Sequence, residues 1–539
     1  MKKLLFAATL AAGVLSCVKI DNQLGGDFIA TELQYDIYTA EFDLDEIQLR
    51  AADSLSAYSS RRIAFGSIRD DTFGVFRKGC ALSLVPVQDS VDFGQDPKFQ
   101  RFIFRAGPDS TSVADESQRN ILQNVNVYAL TEALDPEKYF ARTEVKHGTE
   151  RITKGVPVCN GTDSLTFEFS EAFGKRYLDI TRKDLDDFKT YSAKFPGIYL
   201  TTDDPVGEGG RINLFKMAIL TASSSSGITR TNNYALLYYS GIYKGERRDS
   251  VLMFYFSPPA FQNLDSLIKA NATPRQYVFN VDSHETDALE GPAGDKIYIE
   301  GGSGLKPMVP AGKIRKLVSE EIVRRGGDPA TAVISKASVE FPFDFPEDCT
   351  QMATYPRILS PTIRIKTDST VTYAGLTDAS ASTENQGDVN RSLCNYAPDI
   401  THHVQQLLRT GDKKDLSNYD VWFLIMWKET TTTTNAEASQ MSEYYRQLAY
   451  MSYLNQVYGG YGGYGGYGGY GYGGYGGYGY GYGNYYNYAT MAQYASANAT
   501  TTSSAAELDK DRYYKAVLNG PSSSSSRPKL KVTFAIPRK

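Results

Sequence analysis

Alternation of apolar and polar residues runs through most of this chain and constrains its fold more than any other feature. In "KLKVTFAIP", Lys529 to Pro537, the residues Leu530, Val532, Phe534 and Ile536 fall on one side, with Lys531 and Thr533 on the other. Successive side chains of a strand point to opposite faces, so the pattern describes a strand with one buried face. Comparable runs begin with "DIYTAEFDL" and continue through "GCALSLVPV", "FQRFIFRAG", "NVNVYALTE", "NYALLYYSGIY", "DSVLMFYFSP" and "DVWFLIMW". Polar and glycine-rich connections separate them. The fold class this predicts is mainly β: multiple antiparallel β-sandwich modules, jelly-roll-like, with few short helices.

Two helices stand out. Lys313 to Arg325 places Ile314, Leu317, Val318 and Ile322 on one face, with basic residues in its last turn. In "DITHHVQQLLR", Asp399 after Pro398 is the expected N-cap, and Ile400, Val404, Leu407 and Leu408 form one stripe. A third helix-compatible stretch, Ala436 to Leu454, precedes an unusual tape.

That tape, Tyr458 to Gly483, contains only glycine and tyrosine, and no charge occurs from Gln447 to Ala506. Glycine loses more backbone entropy on ordering than other residues, and no aliphatic side chain here offsets the loss. The tape therefore reads as a disordered Gly/Tyr-rich insertion, either a tolerated loop expansion or an adhesive loop whose rings offer flat faces and hydroxyls. It is not a tail, because the strand at Lys529 follows it.

At the other end, Lys2 and Lys3 precede a mostly apolar run, Leu4 to Leu15. This run is too short to span a bilayer core, which takes about 20 residues, but suits a signal peptide. Val14-Leu15-Ser16-Cys17 resembles a bacterial lipobox, which implies that Cys17 becomes a lipidated first residue. An ordinary signal peptide with a chance cysteine is the alternative. Several acyl chains anchor stably where one does not. The expected organisation is a lipoprotein signal peptide (1–16), a lipidated tether (17–34), an N-terminal β-sandwich (35–204), a β-meander region (205–330) and a C-terminal β-sandwich (331–539). A low-complexity insertion (430–526) interrupts the last.

The length of 539 residues exceeds what one core supports. A net charge of −5, with acids and bases interspersed and no basic stripe, argues against a nucleic-acid partner. Beyond Cys17, the cysteines Cys80, Cys159, Cys349 and Cys394 are candidates for two disulfides in an exported compartment, with free buried thiols as the alternative.

The order of pieces resembles the Bacteroidota outer-membrane lipoproteins grouped as domain of unknown function 4270. The pieces that carry it follow the lipobox: "LGGDF", "IAFGSIRDDTFGVFRKGCALSLVP", "VNVYALTEALDPEKYF", "FPGIYLTTDDPVGEGGRINLF", "IYIEGGSGLKPMVP", "AVISKASVEFP" and "RPKLKVTFAIP". The likeness covers most of residues 17 to 430 and the last dozen. It implies a location and an architecture, not an activity. Within it, "GCALSLVPV" with "NVNVYALTEAL", and "ISKASVEFPFD" with "PDITHHVQQLL", resemble carbohydrate-binding-like sandwich modules. Seven triplets, such as Asp89-Ser90-Val91 and Asp265-Ser266-Leu267, resemble the Asp-Ser/Thr-aliphatic pattern that carries O-glycans in exported Bacteroidota proteins.

No H-E-x-x-H, G-x-S-x-G or Walker pattern occurs, so no catalytic residue, metal ligand or cofactor is expected. Adjacent His402 and His403 diverge by about 100° on a helix and cannot grip one metal. His403 reads instead as a core histidine. "YIEGGSGLKP" reads as a turn, and acidic pairs such as Asp203-Asp204 show no separation by which to judge them.

The function expected is non-catalytic: an outer-membrane, lipid-anchored binding or scaffolding component, at the cell surface rather than the periplasmic face. Its partners are the membrane, through the anchor, and a glycan or an outer-membrane protein complex. The alternative is a glycan-active hydrolase or lyase with loop carboxylates. An aromatic-lined sheet face favours the first, a cleft with two carboxylates at reaction distance the second. Cys17→Ala should abolish lipid labelling and leave unprocessed or soluble protein. Fractionation of that variant with outer membrane, together with unlabelled wild type, rules the anchor out.

Overall fold

The computed structural model describes residues 34–538 except 136–139, 224–226, 348, 368–369, 379–386, 412–414 and 435–499. The expected signal peptide and tether with Cys17, the helix-compatible stretch 436–454 and the tape lie outside the described residues. Among those described, no helix is long and apolar enough to cross a membrane.

The chain is mainly β, with several antiparallel sheets, and it forms two units around separate cores. One unit is a sandwich. Its first sheet includes strands Arg62–Asp70, Gly74–Leu82, Gln123–Leu130, Ile198–Thr202 and Gly209–Lys216; its second includes Gln95–Ala106, Tyr234–Tyr243 and Glu246–Phe256. Inward residues of both, such as Phe65, Leu82, Leu200, Phe102, Phe104 and Phe254, merge into one core. Aromatic rings dominate its centre, with Phe104 stacked 4.8 Å from Phe167 and 4.9 Å from Phe256. Such pairs add roughly 0.5–1.5 kcal/mol beyond their burial.

The other unit uses both ends of the described chain. Strand Tyr35–Asp43 pairs with the closing strand Lys529–Pro537 from Tyr35↔Pro537 to Asp43↔Lys529, and Val333–Pro342 pairs with the closing strand's other side. Leu530, Val532 and Phe534 are fully buried, as the alternation predicts. A further sheet, containing Gln48–Ala51, Leu305–Val309, Ile358–Lys366 and Val421–Thr434, faces the same core, which helices Ala311–Arg324 and Thr401–Arg409 complete.

The expected boundaries therefore need correction. Strands 209–216 and 234–256 belong to the first sandwich rather than to a separate meander, while 35–51 and 296–309 join the unit containing the C-terminal strands. Alternation identifies a strand and its buried face but says nothing about which strand lies beside it. The sandwich unit is in effect inserted into the other one.

The insertion at 430–526 is also narrower than expected. Val421–Thr434 and Thr500–Leu508 form a hairpin in continuous register from Met426↔Leu508 to Thr434↔Thr500. The β-branched threonines that bracket the low-complexity stretch suit strands. Beyond the hairpin, Lys515–Asn519 pairs with Lys296–Glu300, burying Ala516 and Leu518. Between them, Tyr513 packs into the inserted unit against Ala64, Ile68, Phe76, Ile212 and Leu214. Asn280 Nδ2 donates to Asp511 Oδ1 at 2.9 Å, and Lys510 Nζ to the carbonyls of Ser56 and Tyr58. This segment clamps one unit to the other.

Two local expectations shift as well. The cap position before Thr401 is Ile400; Asp399 Oδ1 accepts from Thr401 N at 2.9 Å. The distant Asp378 carboxylate takes the amides of His402 and His403 at 2.6 and 3.1 Å. A capping group need not be local, since any oxygen that reaches the orphan amides serves. All four cysteines are free thiols rather than disulfides: Cys80 and Cys159 are buried, Cys349 exposed and Cys394 half-buried. Cys80 and Cys159 sit in the sandwich core as small apolar side chains. Burial raises both thiols, Cys159 to about 12.

Two substitutions test this architecture by thermal or urea unfolding. Phe534→Ala should cost about 3–5 kcal/mol, because it empties a fully buried position between two strands. Replacing residues 435–499 by Asn-Gly, which closes the Thr434↔Thr500 pair with a two-residue turn, should leave stability within about 1 kcal/mol.

Candidate functional site

Three places in the described structure gather chemistry, and the first lies at the seam between the units. Asp282 is the cross-strand partner of Lys78, and their side chains form a fully buried ion pair at 3.3 Å. Two residues on, His284 shares the inward direction and lies between Asp282 Oδ1 at 3.3 Å and Glu300 Oε2 at 2.9 Å. The glycine-rich turn 301–304 wraps both carboxylates: Ser303 N donates to Asp282 Oδ2 at 3.1 Å, and Ser303 Oγ donates to Asp282 Oδ1. A Cβ on Gly302 would stand 2.4 Å from Asp282 Oδ2, and one on Gly304 2.4 Å from Glu300 Oε2. The turn thus cradles an anion, but the anions are the protein's own side chains. Lys306 Nζ closes it by donating to the carbonyls of Glu300, Gly302 and Gly304.

Ser303 Oγ lies 3.3 Å from His284 Nε2, and His284 Nδ1 faces Glu300, which reproduces the order of a serine–histidine–carboxylate triad. The chemistry does not follow. Ser303, His284 and Glu300 are fully buried, leaving no path for a substrate. Burial alone would lower His284, but the Glu300 and Asp282 carboxylates outweigh it and hold the imidazole above its ordinary value. Both ring nitrogens face carboxylates, Nε2 toward Asp282 and Nδ1 toward Glu300, an arrangement that favours the charged ring over a general base. Burial would likewise raise Asp282, yet Lys78, His284 and the Ser303 hydroxyl hold it far below the usual carboxylate range. Burial pushes Lys306 down to about 7 against the pull of Glu300 and Asp282.

The second place is an open cleft of 270 Å³ at the same seam. Phe73, at the tip of the 70–74 turn, and Tyr298 form an aromatic wall, with their rings edge-on at 5.9 Å. Lys296 is paired with Asp344, and Lys515 with Asp70. Tyr355 OH donates to Val517 O at 2.9 Å. Each charge at the cleft already has a partner, so it offers no free carboxylate pair. Its volume falls just below the range of ordinary small-molecule pockets.

The third is the outer face of the sandwich's second sheet. Ile103, Leu236 and Met253 lie side by side across three strands, and Arg101, Tyr238 and Val251 form the next row. Arg101 stands over the Tyr238 ring with Cζ 4.3 Å from its centroid. Met253 and Tyr234 pack partly against the cluster of Ile219, Leu220, Tyr255 and Leu264. Arg101 and Val251 are exposed, and Ile103, Leu236 and Tyr238 half-buried. An antiparallel sheet with one solvated face normally keeps that face polar, so this row departs from the rule.

The sequence-derived candidates fall elsewhere. Asp203 accepts from Asn124 and Asn126, whereas Asp204 pairs with Arg77 and accepts from Ser67. His403 is a core residue whose Nε2 lies 2.9 Å from Tyr419 O, and burial pushes it down to about 4. Of the Asp-Ser/Thr-aliphatic triplets, Ser90 and Ser266 are exposed, whereas the Ser110 hydroxyl is buried. Missed by sequence reading were His284 and Asp282, although two titratable residues at inward positions of "VFNVDSH" are a legible signal. Tyr234-Leu236-Tyr238 opposite Ala235-Leu237-Tyr239, apolar on both faces, is another. The chain matches no family model, curated protein or solved structure.

The seam makes stability depend on pH. His284 binds its proton more tightly when folded, so its contribution is complete below the unfolded value near 6.5 and is lost as pH rises through the raised folded value. The stability difference between wild type and His284→Gln should therefore be largest near pH 5–6 and shrink above about 6.5. Lys306 acts in the opposite sense above about 7 but is present in both proteins. A difference that instead grows as pH rises toward about 6.5 and stays flat above it means the folded imidazole is neutral.

Proposed function

We propose that this chain is a non-catalytic, lipid-anchored component of the outer membrane that binds through the open sheet face of its inserted sandwich. The partner class is a glycan or an outer-membrane protein complex, with the body of the protein facing outward. The Cys17 lipobox and the resemblance to the domain of unknown function 4270 lipoproteins support the location. The observation that carries the binding reading is the row of exposed Arg101 and Val251 flanking half-buried Tyr238, beside Ile103 and Leu236. An apolar sheet face on which a guanidinium lies over a tyrosine ring offers C–H contacts and hydrogen-bond donors to a sugar, or an apolar strip to a protein. The set that most resembles a hydrolase, Ser303 with His284 and Glu300, has its side chains sealed from solvent, which weighs against the enzyme alternative.

The test uses the chain from residue 18, which contains every described element, on a glycan array and in pull-downs from detergent-solubilised outer membrane. The double variant Arg101→Ala/Tyr238→Ala should lose about tenfold or more in retention, roughly 1.4 kcal/mol, with unchanged melting. Retention equal to wild type, with loss instead in Tyr298→Ala, moves the site to the cleft.

A further inference from the structure

We propose that a second exposed apolar surface, on the terminal unit, lies against the phospholipid headgroups of the membrane that holds the anchor; this rests on the lipid-anchor reading above. The surface is the outer side of the three strands Tyr35–Asp43, Lys529–Pro537 and Val333–Pro342. Ile37 pairs with Ala535, which pairs with Val333 on its other side, and Tyr35 pairs with Pro537. Directly paired residues share a face, so these side chains form one patch. Ile37 is 70%, Tyr35 46% and Val333 39% exposed, while Ala535 is shielded between its neighbours.

The remainder of the same face is charged and self-paired. Lys529 meets Glu41 at 3.1 Å, and Lys531 meets Glu340 at 2.7 Å and Glu41 at 3.6 Å. The apolar residues are therefore confined to one end of the face rather than scattered. It is the end at which the chain from Cys17 arrives. Sixteen residues separate Cys17 from Gln34, and a chain of that length reaches at most about 60 Å fully extended. Arg538 secures the junction, with Nε 2.7 Å from Asp36 Oδ1 and Nη1 2.8 Å from Gln34 Oε1. Lys336, exposed and paired with Thr533 on the same outer face, places a basic group near the apolar ones.

This is the composition of a surface that rests at a headgroup boundary: aliphatic and tyrosine side chains to insert, with a lysine at their edge. A surface already tethered needs little affinity of its own, since the leash supplies a high effective concentration. Its role is to orient the body on its anchor.

The full lipidated chain, carrying Cys349→Ser to remove the exposed thiol, is reconstituted into vesicles of phosphatidylethanolamine and phosphatidylglycerol. A fluorophore is placed at Ile37→Cys or, as control, at Val206→Cys in the inserted unit. Doxyl-labelled lipid should quench the label at 37 at least threefold more than the label at 206, and adding Tyr35→Glu and Val333→Glu should remove the difference. Equal quenching in vesicle-bound protein overturns the proposal. So does a dimer dissolved by Ile37→Glu, which assigns the patch to a second copy. Failure to float with vesicles, with Cys17 unmodified by mass spectrometry, instead overturns the anchor reading on which it rests.

Discussion

The arrangement of the two units depends on a handful of charges that water does not reach. Removing a carboxylate or ammonium from water costs several kcal/mol per ion even after relaxation, and the loss is recovered only where geometry supplies every partner. Here the partners come from separate segments: Lys78 and Asp282 from the inserted sandwich, and Glu300, Ser303 and Lys306 from the terminal unit. A slide of either unit would part Glu300 from His284 and Ser303 from Asp282. Apolar contacts at the seam tolerate displacement, but these do not. Lys296, Tyr298 and Glu300 lie on one side of a single strand, so the same ribbon that enters the sealed cluster lines the open cleft.

The two units divide their labour by the faces they leave uncovered. Each breaks the rule that a solvated sheet face is polar, and each does so in one compact region. The inserted sandwich shows Tyr238, Leu236 and Ile103; the terminal unit shows Ile37, Tyr35 and Val333. Under the proposed reading, one unit sits on the membrane and the other presents a binding surface, while the buried charges keep them in fixed relation. The clamp from Asp509 to Lys515 adds a second fastening, with Tyr513 reaching from the terminal unit's chain into the sandwich.

Much of this was legible in the sequence wherever burial follows a regular period. The closing strand was read with its inward residues, and the helix from Ala311 buries Ile314, Val318 and Ile322 as the 3.6-residue spacing requires. Legibility failed for three physical reasons. Long-range pairing leaves no local trace, so the partnership of residue 35 with residue 537 was invisible and the domain boundaries were drawn too locally. Short strands lack a period: Lys515–Asn519 has only two core residues and lies next to a serine run that looks like linker. Charged residues at inward positions mimic exposed ones, and Asp282 and His284 were passed over because their partners lie in other segments.

The pairing of the first strand with the last has a consequence in time. Ribosomes add about 5–20 residues per second, so nearly 490 residues separate the making of Asp43 from that of Lys529 and the interval is about 25–100 s. Throughout it, Tyr35–Asp43 has no partner, with Phe42, Ala40 and Tyr38 uncovered on one side and its backbone groups open along both edges. The inserted sandwich, whose strands all lie between residues 58 and 283, has every strand partner far earlier, though its clamp at 509–515 comes late. Maturation is thus ordered by the topology itself: the middle of the chain can finish first, and the two ends must wait for each other. Any machinery that carries this polypeptide from its site of synthesis handles a molecule with a folded middle and an unsealed beginning unless it keeps the whole chain extended until the last nine-residue strand has emerged.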